Sequence, residues 1–147
     1  MYLHNWKDDG FFGMIGDFED IFITKAEYEA ETCPHKNETY WLEKKAKMKD
    51  ALESDRWKGI DEVLLASYTY ADYEGDAFVL FRKGDKLYEV NGGHCSCYGL
   101  EGQWGPEDTN VEALRHRLEN GDLGYEGWGE YKHNVFADEL KQVLDKL

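Results

Sequence analysis

The stretch that decides the fold is "DEVLLASYTYADYEGDAFVLFRKGDKLYEV", residues 61–90. It contains three runs rich in Val, Leu, Tyr and Phe, which is the composition of β-strands. The runs are separated by "YEGD" and "KGD", in which glycine permits the backbone angles of a tight turn. Because connections this short require antiparallel neighbours, the stretch predicts a meander with strands at about 62–71, 76–82 and 86–97.

Both faces of the predicted sheet carry apolar side chains. Residues of a strand point alternately to its two faces. The two sets in the first strand are Leu64, Ala66, Tyr68 and Tyr70 on one side and Val63, Leu65, Ser67 and Thr69 on the other. One face is clearly a core face, and the other is apolar enough that we expect it to be covered as well.

Three helices are predicted to pack on the sheet, at about 38–54, 109–119 and 135–146. Asn37 or Thr39 can cap the first helix, and Thr109 with Glu112 forms a capping box for the second. A further helix is indicated near the start by the spacing of Phe18, Ile21, Phe22 and Ala26. The expected structure is therefore one acidic α+β domain spanning residues 1–147.

The charge balance limits the classes of partner. The chain of 147 residues has 17 basic and 31 acidic residues, a net charge of -14. Such a surface repels phosphate and anionic lipid, so we expect no direct binding of nucleic acid or membrane. It suits a partner protein with a basic surface. The largest basic face is that of Lys44, Lys45, Lys47 and Lys49 on the first predicted helix.

The cysteines and the chain start indicate a cytoplasmic protein. There are three cysteines, and two of them are separated by one residue, which is not the pattern of a secreted disulfide framework. The first ten residues, "MYLHNWKDDG", do not have the charge pattern of a secretory signal. No apolar run reaches the length of about eighteen residues that crosses a bilayer.

The segment "EVNGGHCSCYGLEGQW", residues 89–104, allows three interpretations. In the first, Cys95 and Cys97 are small buried residues on a continuing strand, His94 bonds to backbone, and no cofactor is bound. In the second, His94, Cys95 and Cys97 bind zinc, with Cys33 and His35 completing a tetrahedral set. In the third, a cysteine is a nucleophile. The single residue between Cys95 and Cys97 is unlike a zinc knuckle, so the first interpretation is preferred.

Acidic residues cluster at the predicted turns and are candidate contacts for a basic partner. The candidate binding residues are Asp72, Glu74 and Asp76 at the hairpin tip and Glu101, Glu107 and Asp108 beside the glycine-rich turn. The run "DYEGDAF" lacks the alternating oxygen ligands of a calcium loop. Acids spread over a small rigid domain can also imitate the phosphates of a DNA duplex and occupy a basic cleft.

Residues 73–121, "YEGDAFVLFRKGDKLYEVNGGHCSCYGLEGQWGPEDTNVEALRHRLENG", resemble an uncharacterised family of small bacteriophage and prophage proteins. The resemblance covers about a third of the chain and is most specific through "HCSCYGLEGQW". The turn here reads "KGDK" where "DGK" is typical of the family. The resemblance implies action in the cytoplasm of an infected bacterium. Small acidic phage proteins often disable host enzymes, including CRISPR and restriction nucleases.

Two hypotheses of function follow. The preferred one is a phage-type acidic cytoplasmic protein that binds, and inhibits or redirects, a host protein and has no catalytic residues. The alternative is a metal- or thiol-dependent enzyme, with zinc as the implied metal, centred on His94, Cys95 and Cys97.

Overall fold

Five antiparallel strands form one sheet in the order β1-β2-β3-β4-β5, so each strand lies beside its neighbours along the chain. The computed structural model describes residues 2–5, 9–70, 73–127 and 129–147. The strands are β1 Tyr2–Asn5, β2 Glu62–Tyr70, β3 Gly75–Lys83, β4 Lys86–His94 and β5 Glu107–Thr109. The α+β class and the three-stranded antiparallel meander predicted from the sequence are therefore confirmed.

The sheet differs from the prediction at its edges and at the end of β4. β1 pairs with β2, and β5 pairs with β4, and neither edge strand was predicted. β4 ends at His94 and does not continue to Cys97. The turn between β3 and β4 contains Gly84 with a φ of +65°, as the "KGD" turn required.

Helices cover both faces of the sheet. They are α1 Asp9–Glu19, α2 Lys25–Glu29, α3 Glu38–Glu53, α4 Asp55–Lys58, α5 Val111–Glu119 and α6 Ala137–Asp145. A small hairpin of β6 Tyr125–Glu126 and β7 His133–Asn134, joined in part by a 3-10 turn at Gly129–Tyr131, lies between α5 and α6. The early helix predicted from Phe18 to Ala26 is wrong, because the chain turns after Glu19 and leaves Phe22 exposed.

Two apolar cores lie on opposite faces of the sheet. The first joins Ala77, Val79 and Phe81 of β3 to residues of α1, α3 and α4. The second joins Phe78 and Leu80, the alternate residues of β3, to residues of α5 and α6. The expectation that both faces are covered is confirmed, and β3 is buried on each side as a central strand should be.

Asparagine side chains cap two of the three predicted helices. Asn37 accepts a hydrogen bond from the amide of Tyr40 and so begins α3, as expected. The predicted capping box at Thr109 is wrong, because Thr109 belongs to β5. Asn110 begins α5 instead and accepts a hydrogen bond from the amide of Ala113 at 2.8 Å.

An ion pair between a buried carboxylate and a partly exposed arginine connects α5 to the sheet. Glu89 of β4 is 4% exposed and accepts hydrogen bonds from Arg117 of α5 and, at 3.0 Å, from Asn91. Burial alone would raise the pKa of Glu89, but the hydrogen bonds from Arg117, Thr109 and Asn91 lower it overall. The carboxylate is therefore held in its charged form by its partners.

The basic face of α3 is partly folded back onto the protein. The Lys44 ammonium lies 5.1 Å from the centre of the Phe22 ring, and the Lys45 ammonium lies 4.6 Å from that of Trp41. Lys47 and Lys49 are exposed. Half of the predicted basic face is thus engaged in contacts within the chain.

Candidate functional site

The segment after β4, residues 95–102, forms a loop whose two ends are joined by one side chain. We refer to it as the site loop. Gln103 accepts a hydrogen bond from the Gly93 amide at 2.8 Å and donates to the Gly93 carbonyl at 2.7 Å. It also donates to the Gly99 carbonyl at 2.8 Å. The Gln103 side chain therefore makes the two backbone hydrogen bonds at Gly93 that a neighbouring strand on that edge of β4 would otherwise make.

His94 is a structural residue at the base of the site loop. Its Nε2 lies 2.7 Å from the Thr69 carbonyl, and its ring stacks on Tyr68 with 4.5 Å between ring centres. The predicted bond of His94 to backbone is confirmed, although the residue ends a strand and is not in a turn. Gly75 allows this approach, since a Cβ there would lie 1.8 Å from the Thr69 carbonyl oxygen.

The two cysteines of the loop are not core residues. Cys95 is half-buried and Cys97 is exposed, so their interpretation as small buried residues on a strand is wrong. The Cys97 amide donates to Cys95 Sγ at 3.3 Å. This bond, helped by hydrogen bonds from the Tyr98 amide and the Cys97 thiol, lowers the pKa of Cys95 against the opposing effects of burial and Glu74.

Two clefts open on either side of Cys95 and Tyr98. The hairpin-side cleft, with a volume of about 310 Å³, lies toward the β2–β3 turn and is lined by Glu74, Gly75, Asp76, Gly93, His94, Cys95, Tyr98 and Glu126. The helix-side cleft, with a volume of about 400 Å³, shares His94, Cys95 and Tyr98 with it and is otherwise lined by Asp17, Asp20, Phe22, Tyr68 and residues 96–101. His94 is the only side chain lining either cleft, among the described residues, that can carry positive charge.

Asp17 and Asp20 reach the helix-side cleft from the end of α1. The Ile21 amide bonds to the Gly16 carbonyl at 2.8 Å, and Asp20 takes a φ of +56°, which together make a Schellman-type helix end. Burial raises the pKa of Asp17; His94 opposes this shift and the charge of Glu101 adds to it. The cleft thus contains a carboxyl group whose ionisation is disfavoured mainly by burial.

The six predicted binding acids do not form one patch. Glu74 and Asp76 are exposed in the hairpin-side cleft, and Glu101 is exposed in the helix-side cleft. Glu107 and Asp108 lie on β5, where Glu107 pairs with Glu89, five residues along β4 from His94. That separation is roughly 17 Å along a strand. Asp72 lies outside the described residues.

The residues proposed as a zinc set are not gathered by the fold. Cys33 and His35 lie between α2 and α3. Across residues 2–5, 9–70, 73–127 and 129–147, no group of three or more His, Cys, Asp or Glu side chains is placed to hold a metal ion.

Several cleft residues were not predicted from the sequence. Asp17, Asp20 and Phe22 come from a segment about eighty residues away in the chain, and Glu126 comes from β6. For Gln103 the one indication in the sequence is its place within the glycine-rich segment of residues 89–104. The acids of α1 gave none, because a carboxylate at a helix end is normally a solvated surface residue.

In the described part of the chain, none of the helices combines the length and apolar character needed to span a membrane. Comparison of the sequence and structure with known protein families, curated proteins and solved structures found no match.

Proposed function

We propose that this protein is a phage-type acidic protein that binds a basic segment of a host protein through the two clefts and so inhibits or redirects that protein. The observation that supports this most directly is the set of six carboxylates lining the clefts: Asp17, Asp20, Glu74, Asp76, Glu101 and Glu126. No lysine or arginine is among the described lining residues of either cleft.

Lysine and arginine side chains match this surface chemically. Tyr98 stands between the clefts with 56% of its surface exposed and offers a ring face to a cation. Burial raises the pKa of Asp17, so ionising this carboxyl is less favourable than in water. A cationic side chain placed beside Asp17 would favour its ionised form, so attraction between that cation and the Asp17 carboxylate would contribute to the binding energy.

The test measures binding of a fluorescent arginine-rich peptide to two triple variants of equal net charge. The first, E74Q/D76N/E101Q, neutralises cleft carboxylates. The control, D85N/E107Q/D108N, neutralises exposed carboxylates elsewhere. If each cleft contact contributes about 0.5 kcal/mol, the first variant binds roughly tenfold more weakly. The control should stay within about twofold of the wild type, and equal losses in both variants would refute the assignment to the clefts.

Salt dependence and capture from lysate extend the test to a real partner. Raising salt from about 50 to about 300 mM should weaken the complex steeply, because exposed charges are screened. Capture from bacterial lysate should return a protein with a basic surface that the wild type and the control variant retain and the cleft variant loses. An affinity that does not change with salt would contradict a charge-led interface.

A further inference from the structure

The site loop brings two thiols together in a defined arrangement. The Cys95 amide donates to the Tyr98 carbonyl at 3.0 Å, which closes the loop on itself. Within that closed turn the chain bends at Ser96 and Cys97, and the Cys97 amide points at Cys95 Sγ. The short turn and the 3.3 Å contact of the Cys97 amide with Cys95 Sγ hold the two cysteines close together, whereas an extended strand separates alternate residues by about 7 Å.

We propose that Cys95 and Cys97 are a redox-active dithiol that reacts with low-molecular-weight disulfides, with Cys95 as the attacking thiol and Cys97 as the resolving thiol. In the first step the Cys95 thiolate attacks one sulfur of the small disulfide, whose S–S bond breaks to release one thiol. In the second step the Cys97 thiolate attacks Cys95 Sγ and releases the other thiol. The products are a Cys95–Cys97 disulfide and two small thiols, so electrons and atoms balance.

The assignment of the attacking thiol rests on its surroundings. The amide of Cys97 faces Cys95 Sγ at 3.3 Å and stabilises a thiolate there. Cys95 lines both clefts, whose volumes of about 310 and 400 Å³ leave room for a small disulfide on either side. His94 is not the activating base through its Nε2, because that atom contacts the Thr69 carbonyl.

Cys97 is suited to the resolving step because it is exposed and only two residues away. A disulfide across so short a segment closes a small ring, and strained disulfides of this kind are reduced easily. The product should therefore return to the dithiol when reduced thiol is in excess. This reaction needs no partner protein, so its test is independent of the proposed binding function.

The test treats the intact protein with cystamine, a small cationic disulfide that the acidic clefts do not repel, and follows its mass. The wild type should lose two hydrogen atoms and retain no cysteamine, and C33S should behave identically. C97S should stop at one stable cysteamine adduct on Cys95. C95S should react at least roughly fivefold more slowly than C97S, because it lacks the activated thiol.

A denatured sample shows whether the reactivity of Cys95 depends on the folded site loop. In the folded protein Cys95 should react at least about fivefold faster than Cys33, and in denaturant the two rates should converge because the amide contacts are lost. A persistent adduct on wild-type Cys95, or equal rates for Cys33 and Cys95 in the folded protein, would overturn the proposal. So would a C95S variant that reacts as fast as C97S.

Discussion

Replacing Gln103 by alanine removes the side chain that joins the two ends of the site loop. Three hydrogen bonds of 2.7–2.8 Å are lost, two to Gly93 and one to Gly99. A typical hydrogen bond contributes about 1 kcal/mol net, and water reaches some of the released groups, so we expect a loss of about 2–3 kcal/mol. For a protein of this size that lowers Tm by roughly 4–12 °C.

Urea denaturation gives the change in stability, and hydrogen exchange locates it. The amides of Gly93 and Cys95 should exchange faster in Gln103→Ala, while those of the β2–β3 pair should change only with global stability. The matched control is Gln142→Ala, which alters an exposed glutamine on α6. A Tm within about 1 °C of the wild type, or unchanged exchange at Gly93, would show that Gln103 does not hold the loop.

Three further outcomes are expected. Gly75→Ala should destabilise the protein by more than about 3 kcal/mol in urea, because its Cβ would meet the Thr69 carbonyl, whereas Gly13→Ala, with no atom within 4 Å, should be neutral or stabilising. Asp17→Asn should raise Tm at pH 7 but leave it unchanged below pH 3.8, the pKa of this carboxyl in the unfolded chain. The pKa of Asp17 is raised in the folded protein, so its ionised form destabilises the fold, and this effect is absent at low pH. An equal gain in Tm at both pH values would contradict this. Glu89→Gln should reduce the loss of unfolding free energy that the wild type shows as pH falls below about 4.5. The lowered pKa of Glu89 contributes stability that is present above that pH and lost below it. The same loss of stability at low pH in both proteins would argue against this role.

The centre of the sheet could be predicted because its signals are local. Strand composition, alternation and the glycine of the β3–β4 turn all lie within residues 61–90 and agree with one another. The edge strand β5 gave no such signal, because "EDT" is short and polar and gains its structure from pairing with residues 87–89 of β4. Four-residue β1 is likewise fixed by its partner β2.

The candidate site was harder to predict because long-range contacts create it. The sequence placed Cys95 and Cys97 on a longer strand, but β4 has no partner in β3 beyond His94, which pairs with Gly75, the first residue of β3. Local spacing could not show that Asp17 and Phe22 would meet the site loop. Glu74, Asp76 and Glu101, predicted as contacts for a basic partner, are exposed, yet only the fold shows that they border neighbouring clefts.

The division of the core into two layers has a consequence for synthesis on the ribosome. Strands β2, β3 and β4 are complete before α5 and α6 have been made, because both helices follow in the chain. Until then the nascent protein has no cover for Leu65, Phe78 and Leu80. Those side chains would be exposed to other chains during translation, so shielding by a chaperone should matter most in the interval before α6 emerges.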